Sequence, residues 1–304
     1  MRNLQIYRYV DTISRTGSIR KAAEHLNITS SALNRRILSL EDELGFQIFE
    51  RIGNGVRLNT AGELAVVMFR KQLAEADQLR SKLADLSGIR RGHVSIACSR
   101  ALLSYFLPQQ IYKYQSGFPN VTFDIMVRDG EDATDSLKDY SADLALAFEF
   151  SSMKVSDLQT LCTVRQPIYA TMAQEHPLSK SDSLQLIDCQ DYPLVLPSRP
   201  QSMRHILELT AKRTSVPLTP SLVSEDYTFL RNFVRLGDAI SFEVPISIPS
   251  DATSEHLINI PLELPGDLCG LLHLNQLKDR TLPVAAARFA DQLTQTFFNE
   301  FDTN

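Results

Sequence analysis

Residues 17–51, GSIRKAAEHLNITSSALNRRILSLEDELGFQIFER, hold two short amphipathic helical patterns around a tight turn, and no other stretch restricts the fold as much. Ile19, Ala22, Ala23 and Leu26 recur at helical spacing, Asn27 breaks the pattern where a turn must fall, and Ile28 fills the gap. Thr29 offers a side-chain oxygen to cap a second helix, whose apolar stripe runs Leu33, Ile37, Leu40, Leu44. Ser30, Ser31, Asn34 and Arg35 are left on its outward face, with Arg36 beside them. A helix that enters a groove about 12 Å wide must carry short polar or guanidinium side chains on its first turns, because these reach base edges and phosphates together. The alternative is a surface helix pair of an α-rich domain, since such hairpins commonly have a polar outer face.

The flanking residues favour the first reading. Leu4, Ile6, Tyr7 and Val10 pattern as a preceding helix that completes a three-helix core. Phe46, Ile48 and Phe49 lead into Arg51–Leu58, where Gly53-Asn54-Gly55 between extended segments signals a hairpin. With Arg51 and Arg57 on its arms and Asn54 at its tip, that hairpin is a basic wing, suited to phosphates and the adjacent minor groove.

Through Gly17-Ser18, Ala22-Ala23, Leu26, Thr29 to Ile37, Leu40-Glu41, Leu44-Gly45, Phe49, Arg51, Leu58 and Thr60-Ala61-Gly62, the chain resembles the LysR-type transcriptional regulators. The resemblance covers the whole chain. It implies a winged helix-turn-helix, a long linker helix that dimerises, and an effector-binding domain of two α/β lobes. The family usually has serine where Asn34 stands, often glutamine or proline at Ser30 and Ser31, and often a basic wing tip at Asn54. Those departures bear on which operator is read.

Charge divides the chain in the same place. Residues 1–91 carry net +5 and the remainder net −10, so an overall balance of −5 hides a basic first third. So modest an excess suits a protein that doubles its contacts by dimerising on half-sites one helical turn, or a multiple of it, apart. A dimer helix is expected from Thr60, where Thr60 and Glu63 are spaced as a capping box, to Leu86. Its stripe is Phe69, Leu73, Ala76, Leu83 and Leu86, with Leu79 alongside. Gly88 and Gly92, around Arg90-Arg91, read as helix stop and hinge.

Beyond His93, strands near 94–98, 121–127 and 144–148 alternate with helices, which implies a parallel sheet. A second set has strands near Cys162–Met172, Leu194–Leu196, Ser221–Ser224 and Ala239–Glu243, before Leu268–Leu274 and a last helix return to the first lobe. The expected fold is α+β and multidomain. It comprises a winged helix-turn-helix (1–60), a linker helix (61–88) and two lobes of periplasmic-binding-protein type around a ligand cleft (89–304). Lobe 1 takes 92–161 and 269–304, and lobe 2 takes 162–268. In such sheets ligands sit beyond the carboxyl ends of the strands. That rule selects Ser99, Arg100, Arg128, Phe148, Arg199, Gln201, Ser202 and Phe242 as effector-binding candidates. Ser99 could hold a carboxylate with a helix start, and Arg128 or Arg199 could clamp it; Glu149 and Glu243 argue against a purely anionic ligand. The family resemblance also implies ligand binding at Ser99.

Enzyme signatures are missing: no Gly-x-Ser-x-Gly, Walker loop or Gly-x-Gly-x-x-Gly occurs, and the histidines and cysteines are scattered. No catalytic residue, metal or cofactor is expected. The partners expected are double-stranded DNA, a small-molecule effector with a carboxylate among its candidate groups, a second copy in a homodimer or homotetramer, and RNA polymerase. No apolar run is long enough to span a bilayer, so a cytoplasmic location is expected. The competing reading is a small-molecule binding protein whose N-terminal domain contacts other proteins.

Overall fold

The computed structural model describes residues 2–53, 55–86, 91–149, 156–199, 201–249, 256–266 and 268–301. The chain forms two compact units, residues 1–89 and 90–304, except that the segment 138–141 groups with the first.

The first unit runs α1 (Arg2–Thr16), α2 (Ile19–His25), α3 (Ser30–Leu44), the hairpin β1 (Phe49–Ile52) and β2 (Gly55–Leu58), and α4 (Thr60–Leu86). Asn27 takes the left-handed conformation in the turn between α2 and α3, at φ 53°. Ser18 and Thr29 cap the two helices through their hydroxyls. Val10, Ile13, Ala22, Leu33, Ile37 and Ile48 make the core of this unit. Leu44, expected to continue the buried stripe of α3, is 37% exposed, because the helix ends there at Gly45. The Glu41 carboxylate accepts the backbone N–H groups of Ile48 and Phe49 at 2.7 and 3.2 Å, fixing the chain's exit from α3 into the wing.

Two glycines permit close main-chain contacts that seat the wing. A Cβ on Gly55 would lie 2.2 Å from the Gly17 carbonyl oxygen, which accepts the Val56 N–H at 2.9 Å. One on Gly62 would lie 2.0 Å from the Ile48 carbonyl oxygen. Helix α4 is capped one residue earlier than the expected box: the Asn59 side chain accepts the Gly62 N–H at 2.8 Å. Asn59 also donates to the Gln47 carbonyl, so the cap anchors the wing as well as the helix.

The second unit contains β3 (Arg91–Cys98), α5 (Phe106–Gly117), β4 (Asn120–Val127), α6 (Gly130–Lys138), β5 (Leu144–Glu149) and β6 (Leu158–Gln166). It continues with β7 (Tyr169–Ala173), β8 (Leu194–Pro197), α7 (Ser202–Thr214), β9 (Pro220–Ser224), α8 (Tyr227–Val234) and β10 (Ser241–Glu243). Then come β11 (Leu257–Pro261), β12 (Gly270–Leu277) and α9 (Val284–Glu300). One lobe is a five-stranded sheet of order β4-β3-β5-β12-β6, in which β3, β4 and β5 are parallel and β12 runs against β5 and β6. The other lobe has the sheets β10-β7-β11 and β8-β9, linked by a bridge from Leu194 to Ile240.

The single strand expected over Cys162–Met172 is in fact two strands in different sheets. Pro167 lies between them and has no N–H to extend the ladder. The chain therefore changes lobes at Pro167 rather than at Cys162, and it returns just before β12, where Gly270 pairs with Gln166 across the two crossings. Gly92, read as a hinge, lies inside β3, where a Cβ would meet that of Ala285 on α9 at 2.6 Å. Gly88 and Arg90 lie outside the described residues. Among the described residues, no helix is long and apolar enough to cross a membrane.

Candidate functional site

On α3, Ser30, Ser31, Arg35 and Arg36 are exposed and Asn34 is half-buried, while Leu33, Ile37 and Leu40 face the core. Arg36 is partly committed: its Nη1 donates to the Tyr9 hydroxyl at 2.7 Å, and its guanidinium lies over the Tyr9 ring. That leaves Arg35 as the long cation directed outward from the first two turns. In the wing, Arg51 is exposed, but Arg57 pairs across the hairpin with Glu50, so it reaches a phosphate only by giving up or sharing that partner. Asn54 lies outside the described residues.

In the second unit, a pocket open to solvent lies where the two lobes meet. The ends of β3, β4 and β5 supply Ser99, Arg100, Ala101, Asp129 and Phe148. The other lobe supplies Gln201, Ser202, Met203 and Ile206 from the start of α7, with Tyr227 and Val244; Gly270 lies at the crossing. Five expected residues, Ser99, Arg100, Phe148, Gln201 and Ser202, are thus brought together.

Arg128, Arg199 and Phe242 do not line this cavity. Arg128 is exposed and donates to its own neighbour's carbonyl at Val127. Arg199 points to solvent and pairs with Glu208 at 2.6 Å. Phe242 is buried in the lobe core, on β10 against β7. The strand-end rule locates the right turn after β4 but not which of two consecutive residues faces inward: Asp129 does and Arg128 does not. Tyr227 follows Asp226, which caps α8 through its side chain. A helix start of that kind is the same signal that singled out Ser99.

The polar groups of the cavity are closely coupled. Ser99 accepts the Phe148 N–H at 3.1 Å and is only 2% exposed. Burial raises the Asp129 carboxyl pKa above its ordinary value, while the Ser99 hydroxyl donating to it and the nearby Arg100 charge oppose that rise. Burial also raises the Tyr227 phenol, with the charges of Asp129 and Glu243 adding to the effect. Glu243 pairs with Arg231 at 3.1 Å, both deeply buried. Behind the wall, desolvation pushes the Cys98 thiol up to about 12, so it stays protonated.

Comparison with known proteins matches residues 4–63 to the bacterial regulatory helix-turn-helix protein model of the lysR family. Residues 87–298 match the LysR substrate binding domain. The transcriptional dual regulator GltC of Bacillus subtilis is 25% identical over 267 residues, covering 88% of each chain. Full-length CbnR complexed with its target DNA has a TM-score of 0.63 at 17% identity, covering 96% of this chain and 99% of that one. The effector binding domain of QuiR in complex with shikimate has a TM-score of 0.57 at 18% identity, covering 70% of this chain and all of the other, 100%.

Proposed function

For a chain that belongs to the LysR family of helix-turn-helix transcriptional regulators, effector-controlled and DNA-binding, we propose that α3 reads the major groove through Asn34 and Arg35. Ser30 and Ser31 sit at the helix entry, Arg36 flanks the phosphates, and the wing grips the backbone through Arg51, with Arg57 and Asn54 as further contacts. The single observation that carries this is the split of α3 into a fully buried Leu33-Ile37-Leu40 stripe and an exposed face of Ser30, Ser31 and Arg35. The bound state of CbnR supports the reading by its fold.

A small-molecule effector occupies the interlobe cavity and shifts the balance between lobe arrangements, and with it the DNA-binding state. QuiR with shikimate in the same fold supports this assignment. The protein works as a dimer or tetramer in the cytoplasm, with RNA polymerase as its further partner.

A gel shift of the purified protein on its own upstream DNA tests the reading. Arg35→Ala is expected to weaken binding by about tenfold or more, and wild-type affinity to fall steeply with salt. Salt-insensitive binding that the variant retains would instead indicate a protein-contact domain.

A further inference from the structure

The hydrogen bonds of the cavity restrict what its occupant can be. Ser99, the residue expected to hold a carboxylate, already accepts from the Phe148 N–H. Its one hydroxyl proton and the Arg100 charge both favour the Asp129 carboxylate, so an anion in this cavity would compete with Asp129 for them.

From the opposite lobe, Gln201 is 6% exposed and its Nε2 donates to the Glu225 carbonyl at 3.1 Å and toward Ser198 Oγ at 3.4 Å. The Glu225 carbonyl can only accept, so turning the amide over would set oxygen against oxygen. The amide is therefore fixed; Gln201 lines the cavity, and its Oε1 is buried without a hydrogen-bond partner. A buried acceptor left in this way costs free energy that an incoming donor recovers. Phe148, Met203, Ile206 and Val244 form the apolar remainder of the wall.

Resting on the assignment of this cavity to the effector, we propose that the effector is a hydrogen-bond donor rather than a carboxylate. It is a small apolar body bearing an alcohol or protonated amine, shared between Gln201 Oε1 of one lobe and the Asp129 carboxylate of the other.

Three matched probes, benzyl alcohol, benzylamine and benzoate, test this by ligand-observed NMR titration of the full chain. At least one donor probe is expected to bind ten times more tightly than benzoate. Preference for the amine identifies Asp129 as the dominant acceptor, and equal binding of amine and alcohol identifies Gln201. Gln201→Met is expected to lower the melting temperature a little through the lost bond to the Glu225 carbonyl, and to weaken the preferred donor probe several-fold while leaving benzoate binding unchanged, a selectivity that a merely structural glutamine would not produce. Asp129→Asn is expected to narrow the gap between benzylamine and benzoate.

Ile206→Phe, or Met203→Phe if the first loses its melting transition, is expected to abolish binding by filling the cavity. Benzoate binding as tightly as both donors, or no saturable donor binding in the millimolar range, overturns the donor chemistry. Donor binding unchanged in the filled variant overturns the cavity assignment itself, so the two failures are distinguishable.

Discussion

At the scale of single residues, the first unit depends most on positions with no side chain at all. Gly62→Ala would drive a methyl group to 2.0 Å from the Ile48 carbonyl, a main-chain atom that cannot swing away. The expected cost is roughly 3 kcal/mol, at the upper end for overpacking, read as a lower denaturation midpoint of the first unit and weakened DNA binding. The chemistry around such positions was readable in part. The Asn27 turn and the Thr29 cap follow from residue type, because each satisfies a local backbone need. The Asn59 cap escaped that logic, since Thr60 and Glu63 offered an equally good local pattern and only the contact with Gln47 decides between them. Asp129 escaped it too: which side of a turn faces a cavity is set by the opposite lobe, not by the turn.

At the scale of elements, α4 illustrates where periodicity stops being informative. Its apolar residues spread over two faces. Phe69 stacks on Tyr7 at 4.1 Å and belongs to the core of the first unit, so the stripe expected for dimerisation is partly consumed at home. Leu64, Met68, Leu79 and Leu83 form an apolar ridge on another face, each more than half exposed. The side chain of Leu86 lies outside the described residues. Sequence spacing cannot separate the two faces, because a helix packed on its own domain and one packed on a partner have the same period.

A dimer seam along that ridge leads to a definite expectation. Leu79→Glu with Leu83→Glu should shift the protein to monomer in light scattering, with a cooperative melting transition retained at a lower temperature. Each leucine buried in a seam contributes about 1.5–3 kcal/mol, and a charge there contributes nothing in return. An unchanged dimer would move the seam elsewhere. The split between β6 and β7 has the same lesson in a strand: strand-forming residues lie on both sides of Pro167, and that one proline divides them between two sheets.

At the scale of the whole molecule, two histidines of the second unit link its stability to pH. Desolvation lowers the pKa of both His176 and His273 below the ordinary 6.5. His176 donates from Nε2 to the Asp238 carbonyl and accepts the Leu178 N–H at Nδ1, an arrangement only the neutral ring can make. The unfolded chain therefore binds more protons than the folded one around and below pH 6.5, and stability is lost as the pH falls through that value. The melting temperature of the second unit should drop between about pH 7.5 and about pH 5, and a His176→Asn, His273→Asn double variant should flatten that slope. An equal slope in the double variant would assign the loss to other groups. The two-lobed plan was readable from alternating strands and helices, because each lobe repeats a local rule. The exact residue of the crossing was not, because the strand expected over Cys162–Met172 ran across Pro167.

The pairing of Gln166 with Gly270 has a consequence for how such a sensor could be re-engineered. The crossings between the lobes are held by paired main chain, whereas the cavity proposed for the effector is lined by side chains at the strand ends and the start of α7. If that proposal holds, a library confined to Asp129, Gln201, Met203 and Ile206 would change which compound is bound without touching the crossing ladder, making this frame a starting point for biosensors of chemically unrelated molecules.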